Sequence, residues 1–273
     1  MTSSATTAQP QAILAFDSLA EQYDDLFTRS KIGRAQRGVV WSVLAQTFQR
    51  GNRILELNCG TGEDALFLSR NAISVVACDV SERMIQIARK RLQGEDPDAS
   101  IEFNVLPTER LHELRSATLF DGAFSNFSGL NCVENLRQTA RDLAALLTPG
   151  APLLVCLSTR FCISEILWFF LHGEFRKAFR RCSGRTTAKV GEFAVDVHYP
   201  TVRQLQRSFS PFFVLRSCRG IGVTVPPSYV EAWVRNHPNI LGPLCSIDQT
   251  ISTLPGFRVI GDHVLICFER VQA

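Results

Sequence analysis

The feature that most restricts this chain is a strict alternation of short apolar runs with helical stretches between Arg53 and Ser158. Residues 53–57 form an apolar run that enters a glycine-rich turn, Asn58-Cys59-Gly60-Thr61-Gly62. Residues 63–70 then carry Ala65, Leu66 and Leu68 at spacings that pack a helix. Residues 74–78 read as a second strand closing at Asp79, and Ser81 is placed to cap the helix that follows. Third, fourth and fifth strands are predicted over 101–105, 120–125 and 153–158, with a helix over 132–147 before the Pro149-Gly150 break. Strands that alternate with helices pair in parallel through right-handed crossovers. The expected fold class is therefore α/β, a parallel sheet with helices on both faces.

Either side of this core the pattern loosens. Residues 1–11 are rich in Ser, Thr, Ala and Gln and read as a loose tail, and 13–48 are helical with a break near Lys31-Ile32-Gly33. Beyond 158 a helix to about 181 precedes an alternating strand over 193–199, and two more strands at 212–218 and 264–268 complete the sheet. The chain thus divides into tail and cap helices (1–48), a core (49–158), a cap insertion (159–210) and C-terminal strands with a second insertion (211–273). With 273 residues, 45% of them apolar, the chain has ample material for a core; disordered, collagen-like and coiled-coil readings are excluded.

A formal charge of +3 is too small to be a nucleic-acid footprint, so a small-molecule partner is expected and nucleic acid is not. The charge is nevertheless uneven. Residues 158–185 hold six Lys or Arg against two Glu. Nine cysteines form no Cys-x-x-Cys, and Cys78, Cys156 and Cys267 lie in apolar runs, which fits a reducing compartment; no metal is expected. The start lacks the basic flank and apolar stretch of a secretory signal. The longest apolar block, residues 166–171, is far short of the roughly 20 residues a spanning helix needs. The expectation is a cytoplasmic protein, with peripheral membrane contact and oligomeric state left open.

A glycine-rich turn between the first strand and first helix lets the backbone approach a ligand and aims helix N–H groups at it. Asp79, at the tip of the second strand, is placed to accept from a ribose diol. Two ligands compete for this site. Gly60-Thr61-Gly62-Glu63-Asp64-Ala65 satisfies the dinucleotide fingerprint, with Asp79 at nearly the expected distance, which is the nicotinamide-dependent oxidoreductase reading. Against it, Asn58 and Cys59 separate the strand from the first glycine, Glu56 sits on the strand end, and Glu63 puts negative charge where a pyrophosphate would lie. A cationic nucleoside suits the site better.

Ile54-Leu55-Glu56-Leu57-Asn58-Cys59-Gly60-Thr61-Gly62 resembles the first motif of class I S-adenosylmethionine-dependent methyltransferases, normally acidic-x-Gly-x-Gly-x-Gly. Phe16-Asp17-Ser18-Leu19-Ala20-Glu21-Gln22-Tyr23-Asp24 resembles the lead-in helix of the quinone-biosynthesis members. Asp79-Val80-Ser81-Glu82-Arg83-Met84 resembles the second motif, and Leu147-Thr148-Pro149-Gly150 the turn before the fifth strand. The resemblance covers about residues 13–158. It implies a Rossmann-like, seven-stranded, mostly parallel sheet under an α-helical cap, with S-adenosyl-L-methionine as cofactor and methyl transfer to a small molecule as the reaction.

Carried over by position, Glu56, Gly60 and Gly62 would surround the methionine part of the cofactor, Asp79 with Val80 the ribose, and Met84 the adenine. Tyr23 would help close the pocket. Asn58 replaces the motif's first glycine, a substitution that asparagine's tolerance of positive φ permits. The family often places an acidic residue facing adenine, where this chain reads Leu106-Pro107-Thr108-Glu109; the contact is left to Thr108. A protein that binds the cofactor without transferring its methyl is a further alternative.

Methyl transfer is an in-line displacement on an already activated donor, so the protein must chiefly align the acceptor. The loop Ser125-Asn126-Phe127-Ser128-Gly129-Leu130-Asn131 leaves the fourth strand at that place. There Ser125 would adjoin the cofactor, Asn126 hold a polar acceptor atom, and Phe127 wall the methyl pocket, whereas Asn131 has capping-box spacing and is expected to start the next helix. In the strand at 193–199, Asp196 and His198 share one face. They are either a carboxylate-oriented base or a solvated strand face. Residues 163–181, apolar and then basic, are either an ordinary packed helix or a cap. As a cap they would give Trp168 and Phe169 to a hydrophobic or amphiphilic acceptor for O- or C-methylation.

Overall fold

The computed structural model describes residues 5–114 and 116–272, with the backbone alone for 5–10. Its strands are β1 (Arg53–Leu57), β2 (Ser74–Asp79), β3 (Ile101–Val105), β4 (Gly122–Ser125), β5 (Pro152–Ser158), β6 (Arg185–Val190), β7 (Phe193–His198), β8 (Phe213–Ile221) and β9 (His263–Arg270). The helices are α1 (Ala5–Tyr23), α2 (Lys31–Thr47), α3 (Glu63–Arg70), α4 (Glu82–Glu95), α5 (Leu136–Leu146), α6 (Ile163–Leu171), α7 (Phe175–Ala178), α8 (Val202–Phe209), α9 (Glu231–Asn236) and α10 (Leu241–Ile251).

Seven strands form one sheet in the order β3-β2-β1-β4-β5-β9-β8. The first five run parallel, β9 is antiparallel to β5, and β8 is antiparallel to β9. Alternation along β1 and β2 explains why both sheet faces are covered. Ile54, Val75 and Ala77 point into a core with Val40 and Leu44 of α2, Leu68 of α3 and Ile85 of α4. Leu55, Leu57, Val76 and Cys78 point the other way, into a core closed by α5 and α8 through Leu143, Leu205 and Phe209. The chain travels outward from β1 to β3 and then crosses back to β4. The crevice at the carboxyl ends of β1 and β4 is thus the topological switch point where ligands of such sheets bind.

Several expectations need correction. Helix α1 begins at Ala5 rather than after a tail of eleven residues, and residues 1–4 lie outside the described residues. The break before α2 is a π-helical turn at Asp24–Thr28, upstream of Gly33. Ser30 starts α2 by accepting the Gly33 N–H at 2.9 Å, and a Cβ at Gly33 would lie 2.0 Å from the Phe27 carbonyl oxygen, so the glycine serves the helix start. The helix expected from residue 132 begins at Leu136. Asn135 caps it, accepting from Gln138 at 3.0 Å, while Asn131 is fully buried and accepts from the Ser158 N–H at 2.9 Å and donates to the His198 carbonyl at 2.6 Å. The long helix expected up to 181 is two short ones, α6 and α7. Beyond them β6, which was not foreseen, pairs antiparallel with β7 as a separate hairpin in the cap.

Phe209 and Phe268 stack at 4.7 Å with their rings 8° from parallel, both fully buried between α8 and the sheet. Phe268→Ala is expected to lower unfolding free energy by about 3–5 kcal/mol, read from the urea midpoint at unchanged slope.

Candidate functional site

The turn after β1 is held in left-handed backbone at three residues, Asn58 (φ 56°), Gly60 (φ 53°) and Gly62 (φ 78°). Two of these are glycine for different reasons. Gly62 packs the turn down, since a Cβ there would meet Ala88 and Phe103 at 2.9 Å, whereas Gly60 opens toward the ring of Tyr23. Asn58 repays its backbone strain with its side chain: its Oδ1 accepts from Ser125 Oγ at 3.1 Å and its Nδ2 donates to Thr108 Oγ1 at 3.1 Å. That side chain fills the space in front of Gly129, where a Cβ would lie 2.2 Å from Asn58 Cβ.

Asp79 ends β2 and braces the same turn. Its two carboxylate oxygens accept from the Gly60 N–H at 2.8 Å and the Ser81 N–H at 2.9 Å. Burial pushes its carboxyl pKa up, opposed by these N–H groups and that of Val80. Glu56 is buried on β1 with Oε2 unpartnered; burial, followed by repulsion from Asp64, raises its pKa well above the usual range, against the pull of Arg37. Asp64 accepts from Trp41 Nε1 at 2.6 Å, Arg37 at 2.8 Å and Asn126 Nδ2 at 3.0 Å. Of the three buried acids, Asp64 pairs with the buried Arg37 guanidinium, Glu56 feels its pull, and Asp79 is met by backbone N–H groups.

Around this turn lies a cavity of about 520 Å³. The structure brings to its wall Tyr23, Asn58, Gly60, Asp79, Val80, Met84, Thr108, Asn126 and Phe127. Glu56, Gly62 and Ser125 sit behind that wall, as a buried carboxyl, a packing contact and a support for Asn58. Tyr23 is pushed up to about 12 by burial, with Arg37 opposing and Asp64, Asp79 and Asp24 adding to it. The cap is latched to the turn: Asp24 accepts from Thr61 Oγ1 at 2.7 Å and pairs with Arg91, which also pairs with Glu63 at 2.9 Å.

A second cavity, of about 330 Å³, shares Tyr23 and Phe127 with the first, so those two rings form the partition between them. Its far wall is Phe27, Tyr229, Arg181, Asp262 and His263. Phe127 meets Phe27 edge-on at 4.6 Å and His263 at 5.3 Å, beneath the Arg37 guanidinium at 5.2 Å. The imidazole of His263 makes no hydrogen bond among the described residues, and Asp262 Oδ2 lies 3.4 Å from its Nδ1. Burial lowers the His263 pKa, Asp262 opposing and Arg181 adding, so the ring is neutral near pH 7.

The acceptor-side sequence candidates are placed variously, Asp196, Asn126 and Phe127 on the first cavity wall and the others away from it. His198 is absent from both cavity walls, and the carboxylate of Asp196 is engaged by Arg185 at 2.7 Å and Thr187 at 2.9 Å. Trp168 packs with Trp233 in a separate cluster around α9, and Phe169 backs the second cavity by stacking on Tyr229 at 5.5 Å. Asn126 lines the first cavity but gives its amide to Asp64 and to the N–H of Phe127 at 3.0 Å. Sequence reasoning missed Arg37, Asp64 and His263. A signal existed for Arg37: Gly33, Arg37, Val40 and Leu44 fall on one helical stripe, and an arginine on a buried stripe demands a buried acid.

Residues 54–150 match the family described as "Methyltransferase domain". The matched stretch runs from β1 to the turn before β5. A demethylmenaquinone methyltransferase of Clavibacter sepedonicus is 32% identical over 147 residues, covering 54% of this chain and 57% of that protein. The chain spans little more than half the length of the curated relatives it matches. Among solved structures, an S-adenosylmethionine dependent methyltransferase from Mesorhizobium loti is similar with a TM-score of 0.56 at 18% identity, covering 87% of this chain and 99% of that one. The [4+2]-cyclase SpnF is similar with a TM-score of 0.58 at 16% identity, covering 87% and 82%. The sheet also differs from the dinucleotide fold, because its far edge is the antiparallel pair β9-β8 in place of a sixth parallel strand.

The contact between Asn58 and Gly129 gives a test of how the turn is built. Gly129→Ala is expected to cost about 1–3 kcal/mol in thermal unfolding. In the pair Asn58→Gly with Gly129→Ala the loss should be less than the sum of the single losses, because the colliding atoms are gone.

Proposed function

We propose that the protein transfers a methyl group from S-adenosylmethionine to a hydroxylated aromatic acceptor of quinol type. The observation that carries this is the excess of buried acid at the first cavity: of Glu56, Asp64 and Asp79, Asp64 alone has an ion-pair partner, Arg37, among the described residues. A ligand bearing an ammonium and a sulfonium relieves that imbalance, where a pyrophosphate would aggravate it. In this reading the amino-acid end lies by Gly60 and Glu56, the ribose on Asp79, and the adenine between Met84 and Thr108. When bound, the cofactor supplies an electrophilic methyl.

The acceptor occupies the second cavity, among Phe27, Phe127 and Tyr229, with the methyl passing between Tyr23 and Phe127. A quinone ring is itself electrophilic, so its reduced hydroquinone is the form able to attack. His263 would take the proton of the attacking hydroquinone's hydroxyl, while Gly60, Asp79 and Met84 would hold the cofactor as it gives up the methyl and leaves as a neutral thioether. The similarity to a demethylmenaquinone methyltransferase supports a quinol-type acceptor, and Asp262, which burial would raise but Arg181 helps hold below the usual carboxylate range, lies 3.4 Å from the imidazole Nδ1.

Calorimetric titration with S-adenosylhomocysteine tests the cofactor half. Binding is expected, and Asp79→Ala should weaken it by roughly tenfold to a hundredfold; NADH binding in its place would refute the reading. Glu56→Gln gives a paired signature. Because the folded pKa of Glu56 is raised, its ionisation opposes folding as pH climbs above the ordinary glutamate range, so the variant should gain stability over the native chain toward neutral pH. Its affinity for S-adenosylhomocysteine should fall about tenfold over the same range.

The acceptor half is tested with chemically reduced demethylmenaquinone. His263→Gln should lower kcat by about 10²- to 10⁴-fold with unchanged S-adenosylhomocysteine affinity. The native kcat should fall only at pH below the ordinary histidine range, where the ring protonates. A native profile lacking that limb would remove His263 from the mechanism.

A further inference from the structure

Helix α6 is turned inside out. Glu165 and Phe169 face inward and are buried, while Ile163, Leu167, Phe170 and Leu171, spaced as one helical stripe, face outward. The stripe continues across the turn: Phe170 meets Phe175 of α7 edge-on at 5.2 Å, and Phe179 lies four residues further on. Leu167, Phe170, Phe175 and Phe179 are each more than half exposed, and Leu171 is 81% exposed. A contiguous apolar face of this kind marks an interaction site.

The orientation is fixed by the buried side. Glu165 accepts from Arg180 at 3.0 Å, Arg181 at 2.6 Å and Tyr229 at 3.0 Å. Rolling the helix to hide its leucines and phenylalanines would strip a buried carboxylate from two guanidiniums, which costs several kcal/mol. The apolar stripe therefore stays outside.

Charge identifies what covers it. Arg176 stands exposed beside the stripe with no ion pair among the described residues, and Lys177, paired with Glu174, and the partly exposed Arg180, paired with Glu165, flank it. We propose that α6 and α7 dock on an anionic lipid bilayer, the stripe entering the acyl boundary while Arg176, Lys177 and Arg180 meet the head groups. At nine and four residues the two helices are too short to cross, and no helix among the described residues is long and apolar enough to do so. Pairing of two copies across a two-fold axis would set these cations against their own images, an arrangement a lipid phosphate surface avoids.

The full chain should be sedimented with vesicles of phosphatidylcholine alone and of phosphatidylcholine mixed with phosphatidylglycerol. Binding is expected to the anionic vesicles, weaker to the neutral ones, and to decline with added salt. Leu171→Glu with Phe175→Glu should reduce binding tenfold or more while leaving the S-adenosylhomocysteine titration unchanged, which shows that the variant is folded. Arg176→Gln should weaken binding about fivefold on anionic vesicles only. No pelleting with either vesicle would overturn the proposal. So would sedimentation velocity showing a dimer that the Leu171→Glu, Phe175→Glu variant dissolves, since the stripe would then be a contact between copies.

Discussion

The buried carboxylate of Asp64 is the interaction on which the site depends. Placed at the start of α3, it accepts from Trp41 and Arg37 of α2 and from Asn126 of the loop after β4, tying the cap, the core helix and the acceptor-side loop at one point. A carboxylate survives burial only where its lone pairs are met, and here three donors meet them. The tie extends further, because Asn126 Oδ1 accepts from the N–H of Phe127, and the Arg37 guanidinium lies over both Phe127 and Phe27. One ion pair thus fixes where the aromatic partition stands.

The two cavities on either side of that partition differ in electrical character. Behind the glycine turn, burial raises the pKa of both Glu56 and Asp79, so the empty pocket is held at some electrostatic cost that a cationic ligand relieves. On the other side, Asp262 is balanced by Arg181 at 2.9 Å and the walls are aromatic, which suits a flat ligand of low charge. In the proposed reaction a methyl cation equivalent would pass from the first environment to the second.

The core was legible because β1 to β5 and their helices each bury a full face, which forces the hydrophobic period to show in the sequence. Ser81, read as a cap, does accept from the Met84 N–H at 3.0 Å. Legibility failed where a polar side chain bonded far along the chain. Asn131 has the local spacing of a cap, yet its amide bridges β5 and β7, contacts 27 and 67 residues away that no local pattern encodes. The same holds for Glu165, whose partners Arg180, Arg181 and Tyr229 lie up to 64 residues on. His263 opens the last strand after Asp262, and only the fold reveals that this strand, inserted beside β5, ends its neighbour's register at Ser158 and delivers the imidazole to the second cavity.

The partition itself carries backbone strain. Phe127 (φ 41°) and Ser128 (φ 71°) are consecutive non-glycine residues in left-handed backbone, a conformation costing of order 1–3 kcal/mol at each. Such a pair persists only if its surroundings over-determine it, and they do: the Ser128 N–H donates to the Cys156 carbonyl at 3.0 Å, its hydroxyl pairs with that of Ser158 at 2.6 Å, and Asn126 holds the N–H of Phe127. Every one of these anchors belongs to the sheet or to the Asp64 cluster, and none awaits a ligand. The ring that separates the two cavities is therefore set when the protein folds, so in the proposed reaction alignment of the acceptor would rest on preorganisation and not on closure of this loop around the substrate.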